Sequence, residues 1–445
     1  MWIVLLLATV AGLGVLAWFF VALPIQGPRP DEFAEIDRLA GEKAGVPEAM
    51  RDRPNAAQQR LDRALAAVVR AHETALGRVV RTEDGFNWGQ VFPDRVLADQ
   101  ASRDEARRVI AAMEAEGVWR DLDELAKDPR VFAPIPRRSV LVSTVESSLP
   151  ELRQWARVHT GASRLALEEG RAREAILGVE RNLLLAKVAS FRPGLLASMV
   201  SQALATMAYS DAVSIAMSGK ASAADLEALA VALQSPSDLD LEYAMGVERQ
   251  WVLRTIGEML DSTPIVPINR GAQQSKIDQV HEWYRSVLAE PEGPVRQQRL
   301  REVESRVSSL SIRYRVAQMN TDGLGRVLEV ASTAAAKRDL ARVMVAAARF
   351  RAETGSLPAS LNDLVPKYLD AAPMDPYSGR ELRFRVDPGV PGGLLVWSVG
   401  PDGDDDQGRA PRKGMPTPAS ERADGDVLLE WDAGWDGDVP SPESR

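Results

Sequence analysis

The chain of 445 residues contains no cysteine. Disulfide frameworks, thiolate zinc sites, iron–sulfur clusters and cysteine nucleophiles are thereby excluded. Histidine is nearly as scarce, with His72, His159 and His281 far apart. His72-Glu73 and His281-Glu282 begin like the zinc-protease motif H-E-x-x-H, but Leu76 and Arg285 stand where the second imidazole belongs. One helix face must supply both rings, so no histidine metal site is expected. Positive charge is also short, with 54 Lys+Arg against 63 Asp+Glu and a net of −9. Phosphate attraction needs a positive field, so a nucleic-acid partner is not expected. Walker loops, G-x-G-x-x-G and G-x-S-x-G are missing. No small-molecule substrate can be named from such motifs.

Long apolar runs are lacking too, with one exception. Trp2 to Leu23 holds 22 residues without a charge. As a helix it would span roughly 33 Å, enough for a hydrocarbon core of about 30 Å. Trp2 and Trp18-Phe19-Phe20 sit near its ends as interfacial aromatics do, and Pro24 breaks the helix at the surface. A cleaved signal peptide would need a basic start, a shorter run and a small-residue site. The run meets none of these, so residues 1–25 are expected to be an uncleaved single-pass anchor. The expected place is the inner (cytoplasmic) membrane, with the soluble part periplasmic or extracytoplasmic. The positive-inside signal is weak, since Arg29 is followed by Asp31, Glu32, Glu35 and Asp37.

Strand-like alternation is rare before residue 326, and apolar residues recur with helical period. The fold class expected is mainly α, with a helical domain over 26–325. Ser148-Leu149-Pro150-Glu151 reads as a capping box opening a helix to Glu169, and Gly170 closes it. A partner helix follows from about Ala172 to Ser190. This stretch resembles one tetratricopeptide-type helical hairpin, but an ordinary antiparallel helix pair is the preferred reading. Gly194 to Met217 is too apolar for a surface helix and reads as a core helix. Further helices are expected at Ser222–Gln234, Leu239–Leu260, Ile277–Ala289 and Val295–Met319. Carboxylate pairs such as Glu168/Glu169 and Glu242/Glu248 could supply an acid and a base for an envelope hydrolase. Nothing near them argues for a raised pKa, and an interaction or spacer role is preferred.

From 326 onward the text changes. A helix over Arg326–Thr354 is stopped by Gly355. Ser360 caps a short helix, and Pro373 to Gly379 is a turn. Strands are expected at Glu381–Val386 and Gly393–Val399, with a third at Val427–Trp431. A long helix on a small antiparallel sheet makes an α+β unit. Arg349-Phe350-Arg351, Gly355, Leu357-Pro358, Tyr368-Leu369, Pro373, Asp375-Pro376-Tyr377, Gly400-Pro401-Asp402-Gly403 and Asp424-Gly425-Asp426-Val427 follow in order. On these residues 326–445 resembles the globular domain of the major pseudopilin of type II secretion systems. The family's span carries a subunit-pairing Glu where this chain has Leu5, and it joins span and domain by one continuous helix. Filament-subunit behaviour is therefore not expected. A tethered protein reusing the domain, within or derived from a secretion or pilus-type assembly, is.

The resemblance implies calcium in the last loop. Calcium takes six to eight hard oxygen ligands, and Asp402, Asp404, Asp405 and Asp406 crowd one turn. Asp424 and Asp426 return across a loop rich in Pro and Gly, and Ser398 stands at its start. These seven residues are the candidate ligands, with Asp402, Asp404 and Asp426 preferred. A solvated acidic loop is the alternative. Residues 401–445 hold twelve acidic and five basic side chains, so most of the net charge sits here. Two functional readings remain: a non-enzymatic secretion-type envelope protein, or a helical adaptor with a structural cap.

Overall fold

The computed structural model describes residues 32–77, 81–82, 85–86, 99–135, 148–234, 240–262, 270–321, 323–409 and 425–429. The expected anchor, Trp2 to Leu23, lies outside the described residues. Among those described, no helix is long and apolar enough to cross a membrane.

The described part is mainly helical, with a small antiparallel sheet near its carboxyl end. The first helices are α1 (Glu32–Lys43), α2 (Ala56–Leu76), α3 (Gln100–Ala115) and α4 (Val118–Lys127). Between α2 and α3 lies a short hairpin of β1 (Arg81–Thr82) and β2 (Gly85–Phe86). Asn55 caps α2 by accepting from the Gln58 amide at 2.9 Å, and its own amide donates to Arg130 O at 2.7 Å. One side chain thus starts a helix and fixes the chain that leaves α4.

Next come α5 (Ser148–Glu168) and α6 (Ala172–Ser190), joined through Gly170 in the left-handed region that its missing Cβ permits. They pack along each other as the hairpin expected from sequence. The core helix expected after Gly194 is α7 (Leu195–Met217), buried on nearly every face. α8 (Ala223–Ala232) carries the capping box of Ser222 and Asp225. α9 (Leu241–Ser262) and α10 (Arg270–Leu288) follow.

The single helix expected over Val295–Met319 is two. α11 (Pro294–Ser308) ends, a turn of 3-10 helix covers Ile312–Tyr314, and α12 (Arg315–Thr321) resumes. Ser308, Ser309 and Ser311 explain the break. Ser308 Oγ donates back to Glu304 O at 2.7 Å and Ser309 Oγ to Arg306 O at 3.0 Å, which competes with continuation of the helix.

α13 (Leu324–Thr354), 31 residues long, ties the molecule together. Its first turns place Leu324, Val327 and Leu328 in a core with α9, α10 and α11. Farther on, Leu340 and Val343 through Ala348 enter the main core with α6 and α7, and its other side receives Leu394 and Val396 of the sheet. The change of text at 326 thus falls inside one helix, and the apolar core is continuous across it. Gly355 ends α13 in the left-handed region.

Beyond it, Leu361–Leu364 forms a 3-10 turn, and β3 (Arg383–Val386) pairs antiparallel with β4 (Leu394–Trp397). Leu394 and Val396 face α13, whereas Leu395 and Trp397 join Val390 and Leu428 in a separate cluster. Both faces of β4 are therefore buried. The third strand expected at Val427–Trp431 is a single bridge, Ser398 with Val427, among the described residues.

Candidate metal centre

The carboxyl end of β4 leads into the acidic loop, and two anchors hold that loop in place. Asp375, buried in the turn before β3, is the first. It accepts from the Tyr377 amide (3.0 Å), Ser378 Oγ (2.9 Å), Ser398 Oγ (2.8 Å) and the Val399 amide (3.2 Å). Tyr377 then reaches α13, its hydroxyl 2.6 Å from Thr333 Oγ1. The turn, the end of β4 and α13 are thus joined through one carboxylate. Ser398, expected as a ligand, spends its hydroxyl on Asp375, and its backbone pairs with Val427. It supports the loop from below and is not one of the grouped oxygens.

Asp405 is the second anchor. It accepts from Trp397 Nε1 at 2.9 Å, Arg383 Nε at 2.9 Å and the Gln407 amide at 3.0 Å. Burial pushes its carboxyl up, but these three donors outweigh burial and hold it below its ordinary value. Asp405 is therefore fastened to the sheet and is not available as expected.

The remaining carboxylates converge. Asp402, Asp404 and Asp406 each offer one oxygen, and the three lie within 4.8 Å of one another. Asp402 Oδ2 accepts from the Gly425 amide at 3.0 Å, which brings the returning strand to the cluster. Among the described residues no donor reaches Asp402 Oδ1, although it is buried. Burial raises the Asp402 carboxyl, the charge of Asp404 adds to this, and the Gly425 amide opposes it. A cation would meet an oxygen already stripped of water and lacking a donor.

Asp426 lies beneath the loop. It is buried and accepts from the Gly408 amide at 2.6 Å and the Asp406 amide at 3.3 Å. Burial pushes it up to about 7, with Asp405 and Asp406 adding repulsion against those two amides. It closes the loop's base instead of joining the three grouped oxygens. Asp424 lies outside the described residues. Of seven expected ligands, three come together, and they suit a hard cation in general. Nothing in three aspartates singles out calcium over magnesium.

Sequence reasoning undervalued Asp375 as a residue of this site, although the sequence does carry a signal for it. An Asp followed by Pro and, three residues on, Ser is the composition of a side-chain-closed turn. Trp397 and Arg383 left no comparable trace, because their partner Asp405 is far from Arg383 along the chain.

Three of the four carboxylates named from the sequence have structural partners, and one of them, Glu248, has a raised carboxyl that was not expected. Glu169 is ion-paired with Arg107 and Arg171, and Glu168 lies 3.5 Å from Lys220. Glu248 caps the start of α7 through the Leu195 amide at 3.2 Å, and burial raises its carboxyl against that bond. The three histidines are core residues. His72 bonds Val68 O at 2.7 Å, and His159 bonds Asn182 Oδ1 at 3.1 Å. His281 is buried between α10 and its neighbours.

No protein-family model matches the chain, and neither the curated proteins nor the solved structures contain a match to it.

Proposed function

We propose that this chain is a membrane-anchored, non-enzymatic envelope protein whose carboxyl-terminal pseudopilin-like unit is closed by a divalent cation, calcium by its family resemblance. Its soluble part lies outside the cytoplasm and takes a structural or interaction role in, or derived from, a secretion or pilus-type assembly. The carrying observation is the acidic loop itself. Asp375 holds its start and Asp405 ties its middle to the sheet, while Asp402, Asp404 and Asp406 turn oxygens toward one point. Three like charges so close repel one another, and a bound cation would turn that repulsion into closure.

Thermal unfolding of the whole purified chain, with millimolar calcium and with chelator, tests the site. A ligand held by the native state alone should raise Tm by roughly 2–5 °C. The double change Asp402→Asn, Asp404→Asn should abolish the rise, and magnesium should give a smaller one. An unchanged Tm in calcium would remove the site from the proposal. The whole chain is required, because a fragment from 326 would expose the side of α13 that packs on α7.

That continuous core favours a second reading, in which the terminal unit is a structural cap on a helical adaptor unrelated to secretion. Capture experiments with the anchored chain separate the two. Retention of pseudopilus or secretion components supports the first reading, and their consistent absence supports the adaptor.

A further inference from the structure

We propose that the turn between α11 and α12, which lies across α9 from the start of α1, rests on an anionic lipid surface. Ile312 and Met319 would enter its interfacial layer. The inference rests on reading Trp2 to Leu23 as an anchor, and three observations carry it.

The first is exposure. The serine-rich break between α11 and α12 leaves Ile312 83% and Met319 65% exposed, among the most exposed large apolar side chains described. Neither supports the cores beside them, so stability does not account for them.

The second is charge. From Ser305 to Thr321 the chain has three arginines and no acidic residue, within a protein of net −9. Aromatic rings lie among the cations, with Lys276 over Tyr314 at 4.6 Å and Arg306 over Trp283 at 5.0 Å. Exposed aliphatic side chains beside cations and aromatic rings suit the headgroup layer of an anionic bilayer. A neutral protein groove would gain nothing from the arginines.

The third is position. The chain enters the body at α1, where Phe33 packs edge-on against Trp251 at 6.0 Å and beneath Arg254 at 4.8 Å. The next residues of α9, Val252, Leu253 and Ile256, pack with Ala317 of α12. The apolar turn is therefore one helix away from the entry point. Only eight residues separate Leu23 from Glu32, and eight residues reach at most roughly 28 Å. An anchor at 2–23 would hold the start of α1 near the bilayer, with the turn that carries Ile312 and Met319 across α9 from it.

The lack of cysteine makes the test direct. Ile312→Cys, Met319→Cys and, as reference, Val231→Cys on α8, itself 55% exposed, each give one labelling site for an environment-sensitive fluorophore. The labelled whole chain is reconstituted into phosphatidylcholine vesicles with and without phosphatidylglycerol, and quenched by nitroxide lipids. Labels at 312 and 319 should be quenched roughly threefold more than at 231 in the anionic vesicles, with the difference shrinking at high salt. Equal quenching at all three positions overturns the proposal. Shielding from aqueous iodide without lipid quenching, in a dimeric chain, also overturns it and assigns the patch to a second copy. Alkaline carbonate extraction reports on the anchor separately. If it releases the chain, the anchor reading fails, and the same labelled chains are added to preformed anionic vesicles. Lipid quenching at 312 and 319 there would sustain the surface without the anchor, and its absence would overturn it.

Discussion

Asp375 shows how much one buried side chain can organise. Its carboxylate accepts four hydrogen bonds, from a turn, the end of β4 and the residue after it. Asp375→Asn keeps the shape but replaces one acceptor oxygen with a donor, which then faces donors. The expected cost is about 2–4 kcal/mol in chemical denaturation of the whole chain, the range for breaking a buried charge-assisted network. Ser398→Ala removes one of the four donors and should cost about 1 kcal/mol. The ordering of these two variants is the measurement that matters. A larger loss for Ser398→Ala would show that the carboxylate is not the organiser. Asp375 was in view in the sequence only as part of a motif, since burial is not written in local spacing.

At the scale of elements, the acidic loop closes where two backbones nearly touch. Gly400 has a φ of +75°, and a Cβ there would lie 2.8 Å from the Gly425 carbonyl oxygen. That neighbour is backbone and cannot swing aside. Gly400→Ala should therefore separate the returning strand from Asp402 and destabilise the protein by roughly 1–3 kcal/mol. It should also weaken any calcium-dependent rise in Tm, because the Gly425 amide would leave Asp402. Calorimetry with and without calcium reads both effects. Gly355→Ala at the end of α13 serves as comparison, since its φ of +79° carries strain without a neighbour within 4 Å. It should lower Tm in both conditions alike. Helix α13 was legible in the sequence to within two residues of its start, because its alanines and its closing glycine are local signals. The split of α11 from α12 was missed, since the apolar period runs on through the serines that stop the helix.

For the whole molecule, the three buried histidines set an acid limit. Burial dominates in each. It lowers His72, and it pushes His159 to about 3, with Arg181 adding to the effect, and His281 to about 4, with Arg249 and Arg285 adding. Their ordinary value is 6.5. Folded values below the unfolded one mean that the unfolded chain binds more protons in this range. Stability is then complete above about pH 6.5 and falls as the medium is acidified, by roughly 1.4 kcal/mol per pH unit for each of His159 and His281. Asp426 opposes this without a cation. Its folded value of about 7 lies above the unfolded 3.8, so its contribution improves as pH falls through 7. Denaturant midpoints between about pH 7.5 and 5 should fall, and His159→Gln should flatten the slope. An unchanged slope in that variant would show that His159 is not buried as a neutral ring.

Helix content, the Ser222 and Ser360 caps, the apolar core helix and the run of aspartates were readable from the sequence alone, because each is a local signal, whereas Ser148, expected as an N-cap, is the first residue of α5. Periodicity, capping boxes and terminating glycines act at separations of three or four positions. Tertiary structure decided the rest. It withdrew Ser398 and Asp405 from the expected ligands by giving them partners at Asp375, Arg383 and Trp397. It lowered Asp426 into the base of the loop, and it set α13 between the helical body and the sheet so that no boundary divides the core. It also left Ile312 and Met319 exposed after α11, across α9 from the start of α1. Hydrogen bonds and packing across distant positions are free-energy choices among many partners, and only the assembled fold shows which were taken.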